Sequence, residues 1–349
     1  MSDRTNDRPP LDLVGNRGWF YLLSLLIVVP SLIALMVPPR LTLGIDFKGG
    51  SEFSVTFQEP VEQSDLRDAL ADLDHPEARV QAASGNEFFV RTEELEGAST
   101  APPVGPAPPS ERDEIEDALV ERFGPLVDSE GAVTNNFTEF ASVSESISEE
   151  IGRNALIAVA VAALAIFAYL WYSFRAVEQS FRFGTAAIIA LIHDVIIVLG
   201  AFSILGQVAG FEINKEFIAA ILTVIGFSVH DSIVVFDRIR ETVERGEGRT
   251  LAEAVNSSLL QTLARSLNTS LTLVFAVLAL LLMSGGGIRE FLWAMLIGAV
   301  AGTYSSIFIA AQILVSWDEG DLPRLFRRLL GREDVEEYEY EAEPLASES

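Results

Sequence analysis

The sequence predicts an α-helical integral membrane protein, with six transmembrane helices and an extracytoplasmic α+β domain between the first and the second. Three observations carry this. Apolar residues make up 49% of the chain and mean hydropathy is +0.32, high for a water-soluble protein. They are gathered into blocks of spanning length rather than spread along the chain. The long polar stretch after the first block mixes two-residue and helical periodicities, as a small folded domain does.

A helix needs roughly 17–25 residues to cross ~30 Å of hydrocarbon. Six segments qualify: 19–37, 154–172, 183–205, 216–236, 265–284 and 290–317. The first lacks a small-residue cleavage site and runs through Pro30 to Pro38-Pro39, so it reads as a retained helix. Basic residues set the orientation. Arg4, Arg8 and Arg17 lie in the N-terminus (1–18), Arg175 and Arg182 between helices two and three, and Arg238, Arg240, Arg245 and Arg249 in the loop 238–264. Arg324, Arg327, Arg328 and Arg332 lie in the acidic tail, 318–349. The opposite loops carry only Lys215 and Arg289 near membrane ends. The positive-inside rule then places both termini in the cytoplasm of a multi-pass protein of the cell membrane.

Segment 41–150 therefore lies outside. Phe53, Val55 and Phe57 alternate as in a half-buried strand. SDLRDALADL (64–73) starts a helix with Ser64 as N-cap. ARVQAA and NEFFVRT read as strands around Ser84-Gly85-Asn86, SERDEIEDALVERFG as a helix closed by Gly124, and VTNNFTEFASV as a last strand. The order β-α-β-β-α-β is the ferredoxin-like pattern. The Pro-rich segment 97–110 reads as a disordered insertion, and the acidic end of the tail as disordered too.

With 50 acidic against 24 basic residues the net charge is −26, which excludes a nucleic-acid partner. An acidic water-facing surface poor in lysine suggests a high-salt milieu, as in halophilic archaea. The absence of cysteine excludes disulfide and thiolate chemistry. No cofactor or metal is expected.

Ionisable groups inside apolar helices cost a few kcal/mol or more each and are functional candidates by default. Helix three carries His193-Asp194, helix four His230-Asp231, and helix five opens with Arg265. The helical neighbours of Asp231, Phe227, Ser228, Val234 and Val235, include no cation. Ser228, Asp231 and Ser232 form one polar stripe, and Arg265, Asn268, Thr269 and Thr272 another. These stripes are expected to face each other, with Arg265 controlling whether Asp231 holds or releases a proton. A static ion pair that fixes helix packing is the competing reading. His193-Asp194 is either a second proton relay or a structural hydrogen-bond pair. Asp237, Arg238, Arg240 and Glu241 fit a charged cuff where helix four leaves the membrane. In helix six, Ala294, Gly298, Gly302, Ser306 and Ala310 form a small-residue ridge suited to close helix packing, with a partner subunit as one candidate for the facing helix.

GIDFKGG (44–50), LIHDVIIV (191–198), VIGFSVHDSIVVFDRIRE (224–241) and SLLQTLARSLNTS (258–270) together resemble the SecD/SecF protein-export family, in its SecF form, over essentially all six helices. The resemblance implies an RND-type six-helix half. It also implies a role beside SecD in assisting export of a translocating polypeptide through the SecY translocon in the lipid membrane, drawing on a proton or sodium gradient. It places the family's transmembrane Asp on Asp231 and its helix-five Arg on Arg265. Gly44, Asp46, Gly49, Gly50, Asp237 and Arg238 fall within its motifs. Two positions depart from the family pattern: His230 stands where an Asn is usual, and ASVSESISEE before helix two lacks the usual Val-Gly-Pro.

Such a subunit performs no bond chemistry. Two other classes stay open. One is half of a small-molecule or lipid RND transporter. The other is an intramembrane aspartic protease built on Asp194 and Asp231. Against the protease, neither Asp sits in a Gly-x-Gly-Asp context, and no Pro-Ala-Leu element lies near helix six.

Overall fold

The computed structural model describes residues 11–82, 85–97, 110–128, 131–175, 180–246, 248–284 and 288–321. The expected turn at Ser84, most of the Pro-rich insertion and the tail beyond 321 lie outside these residues.

Helix α1 (Arg17–Met36) leads into a one-turn helix α2 (Ile45–Lys48) and strand β1 (Gly50–Thr56). Helix α3 (Gln63–Asp72), strands β2 (Arg79–Ala82) and β3 (Glu87–Thr92), helix α4 (Glu111–Phe123), short strands β4 (Leu126–Val127) and β5 (Val133–Thr134), and β6 (Glu139–Val143) complete the soluble domain. The main sheet has the order β2-β3-β1-β6 with every pair antiparallel. This matches the predicted ferredoxin-like order. Phe53, Val55 and Phe57 pack with Leu66, Leu70, Val90, Ile115 and Leu119 in the domain core, as their alternation required. Ser110 caps α4 in a reciprocal capping box with Asp113, and Gly124 ends it. Ser64 is not the cap of α3: the helix begins a turn position earlier, after Glu62. The stretch before β1 forms a single helical turn, Ile45–Lys48.

Five further long helices follow: α5 (Glu145–Phe174), α6 (Ser180–Ala209), α7 (Lys215–Glu244), α8 (Leu251–Met283) and α9 (Ile288–Ser305), the last continued by a π turn (Ser306–Ala310) and α10 (Ala311–Asp318). With α9 to α10 counted as one span, six helices are long and apolar enough to cross a membrane. The expected loop 238–264 is mostly helix. Helix α7 runs on to Glu244, carried by ion pairs at helical spacing such as Asp237–Arg240 at 2.9 Å and Arg238–Glu241. Helix α8 starts at Leu251 under the N-cap of Thr250, whose hydroxyl accepts from Glu253 N at 3.2 Å. The residues assigned to the charged cuff on α7 form ion pairs with one another.

The helices hold two apolar clusters. One, toward the soluble domain, joins Val198, Phe202, Phe217, Ile221, Val224 and Met295. The other, toward the chain termini, joins Val14, Phe236, Ile239, Leu259, Ile307 and Leu314. Between them lies a layer of buried polar residues. The small-residue ridge of α9 serves close packing, as expected, and the helix it meets is α7 of the same chain. A Cβ on Gly298 would come within 2.2 Å of Val224, and one on Gly302 within 3.0 Å of Ser228. The missing side chains let the two helices close around this layer.

Candidate functional site

Asp231 is buried in the polar layer, and its neighbours are hydroxyls. Ser266 of α8 donates to Oδ1 at 2.6 Å, and Ser306 of the π turn donates to Oδ2. Asp194 of α6 is buried deeper, at 1% exposure. Its Oδ2 accepts from Ser228 at 2.6 Å and Ser305 at 2.7 Å. His193 Nδ1 lies 3.0 Å from Asp194 Oδ1, and its buried Nε2 has no hydrogen-bond partner among the described residues. The His193 ring lies alongside Tyr304, with centroids 6.3 Å apart. Thr303 and Ser270 join the layer through a 2.6 Å bond. A π turn is a frequent companion of functional sites, because it re-aims side chains within a continuous helix. Here it begins at Ser306, the residue that reaches Asp231.

The expected Asp231–Arg265 contact is absent. Arg265 is exposed, as are Asn268, Thr269 and Thr272 on the same stripe. The inward face of α8 is instead Ser258, Thr262, Ser266 and Ser270, all buried and four residues apart. Arg265 precedes Ser266 by one residue, about 100° around the helix. It has no ion pair among the described residues. His230 is likewise exposed, turned away from the layer that holds Asp231. The sequence thus located the buried carboxylates but assigned the wrong face of α8. The signal that would have found it is the Ser/Thr ladder at four-residue spacing, which outlasts the Arg265 stripe. Ser306 was legible only as a member of the small-residue ridge, and no periodicity singled out Ser305.

Asp194 and Asp231 are brought into one layer, yet each is held by its own pair of serines. No hydrogen bond joins the two carboxyls among the described residues. That differs from two carboxylates sharing one proton around a water, the arrangement a protease would need.

The glycine motif lies at the joint between membrane helices and soluble domain. Gly49 (φ 78°) and Gly50 (φ 127°) take left-handed backbone, and a Cβ on Gly50 would sit 2.5 Å from Thr92 O. Gly44 N donates to Ile213 O at 2.8 Å, and Lys215 N donates to Asp46 Oδ2 at 3.0 Å. The motif therefore fixes the start of α7, the helix that carries Asp231. Beside it a second polar cluster docks the domain. Arg91 of β3 pairs with Glu52 at 2.6 Å and faces Glu212 and Glu290, each at 3.5 Å. Burial alone would lower the Arg91 pKa, but the carboxylates of Glu52, Glu290 and Glu212 outweigh it and raise it. Burial raises Glu212 against the pull of Arg91 and Arg79. A cavity of about 650 Å³ opens between β2, β3 and the end of α6, lined in part by Arg67, Arg79, Arg91, Val208 and Glu212.

The family model described as protein export membrane protein SecD/SecF, C-terminal, matches residues 127–320, and that of the SecD/SecF GG motif matches 39–61. Protein translocase subunit SecF of Thermobaculum terrenum is 45% identical over 91% of this chain and 97% of its own length. The SecF of Anaerolinea thermophila is 37% identical over the same shares. Bacillus subtilis SecDF is 32% identical over 90% of this chain, which spans 39% of that longer protein. The crystal structure of SecDF from Thermus thermophilus, a translocon-associated membrane protein, superposes with a TM-score of 0.72 at 32% identity, over 89% of this chain and 39% of that one. The buried carboxylate layer, the glycine joint and these matches place the chain in the SecD/SecF family of protein-export membrane proteins, on its SecF branch.

Proposed function

We propose that this SecF-type auxiliary subunit of the Sec translocation machinery works with SecD to couple an ion gradient to protein export, with Asp231 as the ion-carrying group. The observation that carries the reading is Asp231 itself, a buried carboxylate in a membrane-spanning helix with hydroxyls and no cation around it. An ionisable group placed there is a functional-site candidate by default. Arg265 stands in an apolar span, exposed on this chain and without a carboxylate partner among the described residues. SecD's six helices would cover that face, and Arg265 then acts across the interface. SecDF relatives that carry more than this chain's length support that pairing. His230 shares the exposed setting and belongs to the same interface. The SecY translocon, the translocating polypeptide and membrane lipid complete the partners, with both termini in the cytoplasm.

Export of a secreted reporter is measured in cells carrying Asp231→Asn or Arg265→Met, with SecD association checked by co-purification. Export falls severely in both while the complex still assembles. Normal export in both variants would refute ion coupling through these residues.

A further inference from the structure

The two carboxyls of the polar layer are contacted by consecutive residues, Ser305 on Asp194 and Ser306 on Asp231. Each serine also has a second acceptor. Ser305 Oγ lies 3.2 Å from the Gly302 carbonyl, and Ser306 Oγ 3.1 Å from the Thr303 carbonyl. A hydroxyl has one hydrogen and cannot serve both acceptors at full strength.

We propose that Ser305 and Ser306 are paired hydroxyl switches that join Asp194 and Asp231 into one proton-exchange unit, with His193 at its far end. This rests on the coupling role given to Asp231 above and names the device that controls it. With Asp231 ionised, the Ser306 hydrogen points at Oδ2. When Asp231 takes up a proton, one O–H bond forms on the carboxyl and donates to Ser306 Oγ. The serine hydrogen then turns to the Thr303 carbonyl. The proton comes from hydronium, whose O–H bond breaks to leave water; the carboxylate is neutralised and no other covalent bond changes. Ser305 makes the same turn for Asp194. The two serines share one turn of backbone, at the point where α9 widens into a π turn. Ser228 ties Asp194 to α7, one turn from Asp231. The two carboxyls are therefore held by adjacent residues of the same backbone turn.

The charges around the unit are few. Helix α6 supplies His193 and Asp194, α7 supplies Asp231, and α9 supplies the phenol of Tyr304, which donates to Phe20 O at 2.6 Å. Helix α8 turns Arg265 outward. Residues 19–36 of α1 and 154–174 of α5 contain no charged residue. Two ionised carboxylates without a cation are costly in such a layer, so occupancy of one site governs the other. His193 holds Asp194 through Nδ1 and leaves Nε2 open for the next proton.

The test reads the infrared band of the protonated Asp231 carboxyl in the full-length chain with SecD in vesicles, assigned by its loss in Asp231→Asn. Its titration midpoint moves by about one pH unit, a tenfold change in proton affinity, in Asp194→Asn and again in Ser306→Ala. Ser306→Thr, which keeps the hydroxyl, restores the wild-type midpoint, and Ser305→Ala gives a second, independent displacement. A midpoint that stays put in both Asp194→Asn and Ser306→Ala overturns the proposal. So does an equal displacement in Ser306→Thr and Ser306→Ala. Because the readout is spectroscopic, it separates from the export assay: normal export in Asp231→Asn removes the coupling role, whereas an unmoved band removes only the two-site unit.

Discussion

Arg91, in the soluble domain, lies 3.5 Å from Glu290 at the head of α9, so a buried ion pair joins the sheet to the helix that carries Ser305 and Ser306. Asn214, the N-cap of α7, donates to the same Glu290 at 3.0 Å. The junction therefore grips the outer ends of both helices that frame the carboxylate layer.

Arg91→Ala leaves Glu52, Glu212 and Glu290 without their shared cation. Breaking a buried pair from one side costs about 3–5 kcal/mol, much of it the unpaired charge left behind. Arg91→Lys recovers only part of this, because an ammonium cannot fork between three carboxylates as a guanidinium does. The natural chain has no cysteine, so spin labels placed at positions 67 and 208, on opposite walls of the cavity, report the docking directly. A single sharp distance in the wild type broadens in Arg91→Ala. An unchanged distance distribution would show that the glycine joint alone holds the domain.

The raised pKa of Glu212 gives the docking a pH dependence. Burial is its largest cause, so the docked state binds a proton more readily than the open one. The contribution is complete below the ordinary glutamate value of 4.5 and is lost as pH rises through the raised value. The spin-label distance accordingly sharpens toward acid and broadens as pH climbs. Glu212→Gln, neutral throughout, removes the Glu212 share of that dependence. A wild-type distribution independent of pH over this window contradicts the linkage.

The parts of this molecule that were legible before the structure are those written in periodicity and cost. Phe53, Val55 and Phe57 announced a strand face because a pleat repeats every two residues. Asp194 and Asp231 announced a polar layer because charge in an apolar helix is expensive. What failed was azimuth. Arg265 and Ser266 differ by one residue, and the sequence gives no energetic reason why the strong cation should point outward. The reason lies in the chain's own packing, where two carboxylates are already satisfied by serines of α7, α8, α9 and the π turn. The apolar block marks a span rather than a helix end: Asp237–Arg240 and Arg238–Glu241, at the helical spacing read from the sequence, carry α7 on to Glu244.

Close approach of α7 and α9 depends on Gly298. A Cβ there would lie 2.2 Å from the side chain of Val224, a β-branched residue that strongly prefers one χ1 rotamer in a helix. Gly298→Ala forces the helices apart and destabilises the chain by about 1–3 kcal/mol, read as a lower midpoint in thermal unfolding of the detergent-solubilised protein. Gly184→Ala is the control. Nothing lies within 4 Å of its Cβ position, so the substitution is neutral or stabilises α6 by about 0.5–1 kcal/mol. Equal effects at the two glycines would remove the packing argument.

Asn256 of α8 fastens the segment before α1. Its Oδ1 accepts from Leu13 N at 2.8 Å and Val14 N at 3.3 Å, and its Nδ2 donates to Leu11 O at 3.1 Å. Val14 is buried beside Val255 and Leu259, within the apolar cluster that closes the terminal side of the carboxylate layer. Asn256→Ala strands the buried Val14 N–H, at about 1–3 kcal/mol. Asn256→Asp keeps the acceptor and loses only the bond to Leu11, so its effect is smaller. Hydrogen exchange at Leu13 and Val14 in the full-length chain accelerates by roughly tenfold to a hundredfold in Asn256→Ala, and less in Asn256→Asp. If the two variants exchange at the wild-type rate, burial of Val14 holds the segment without the amide. Access to the layer from that side would then be set by apolar packing alone.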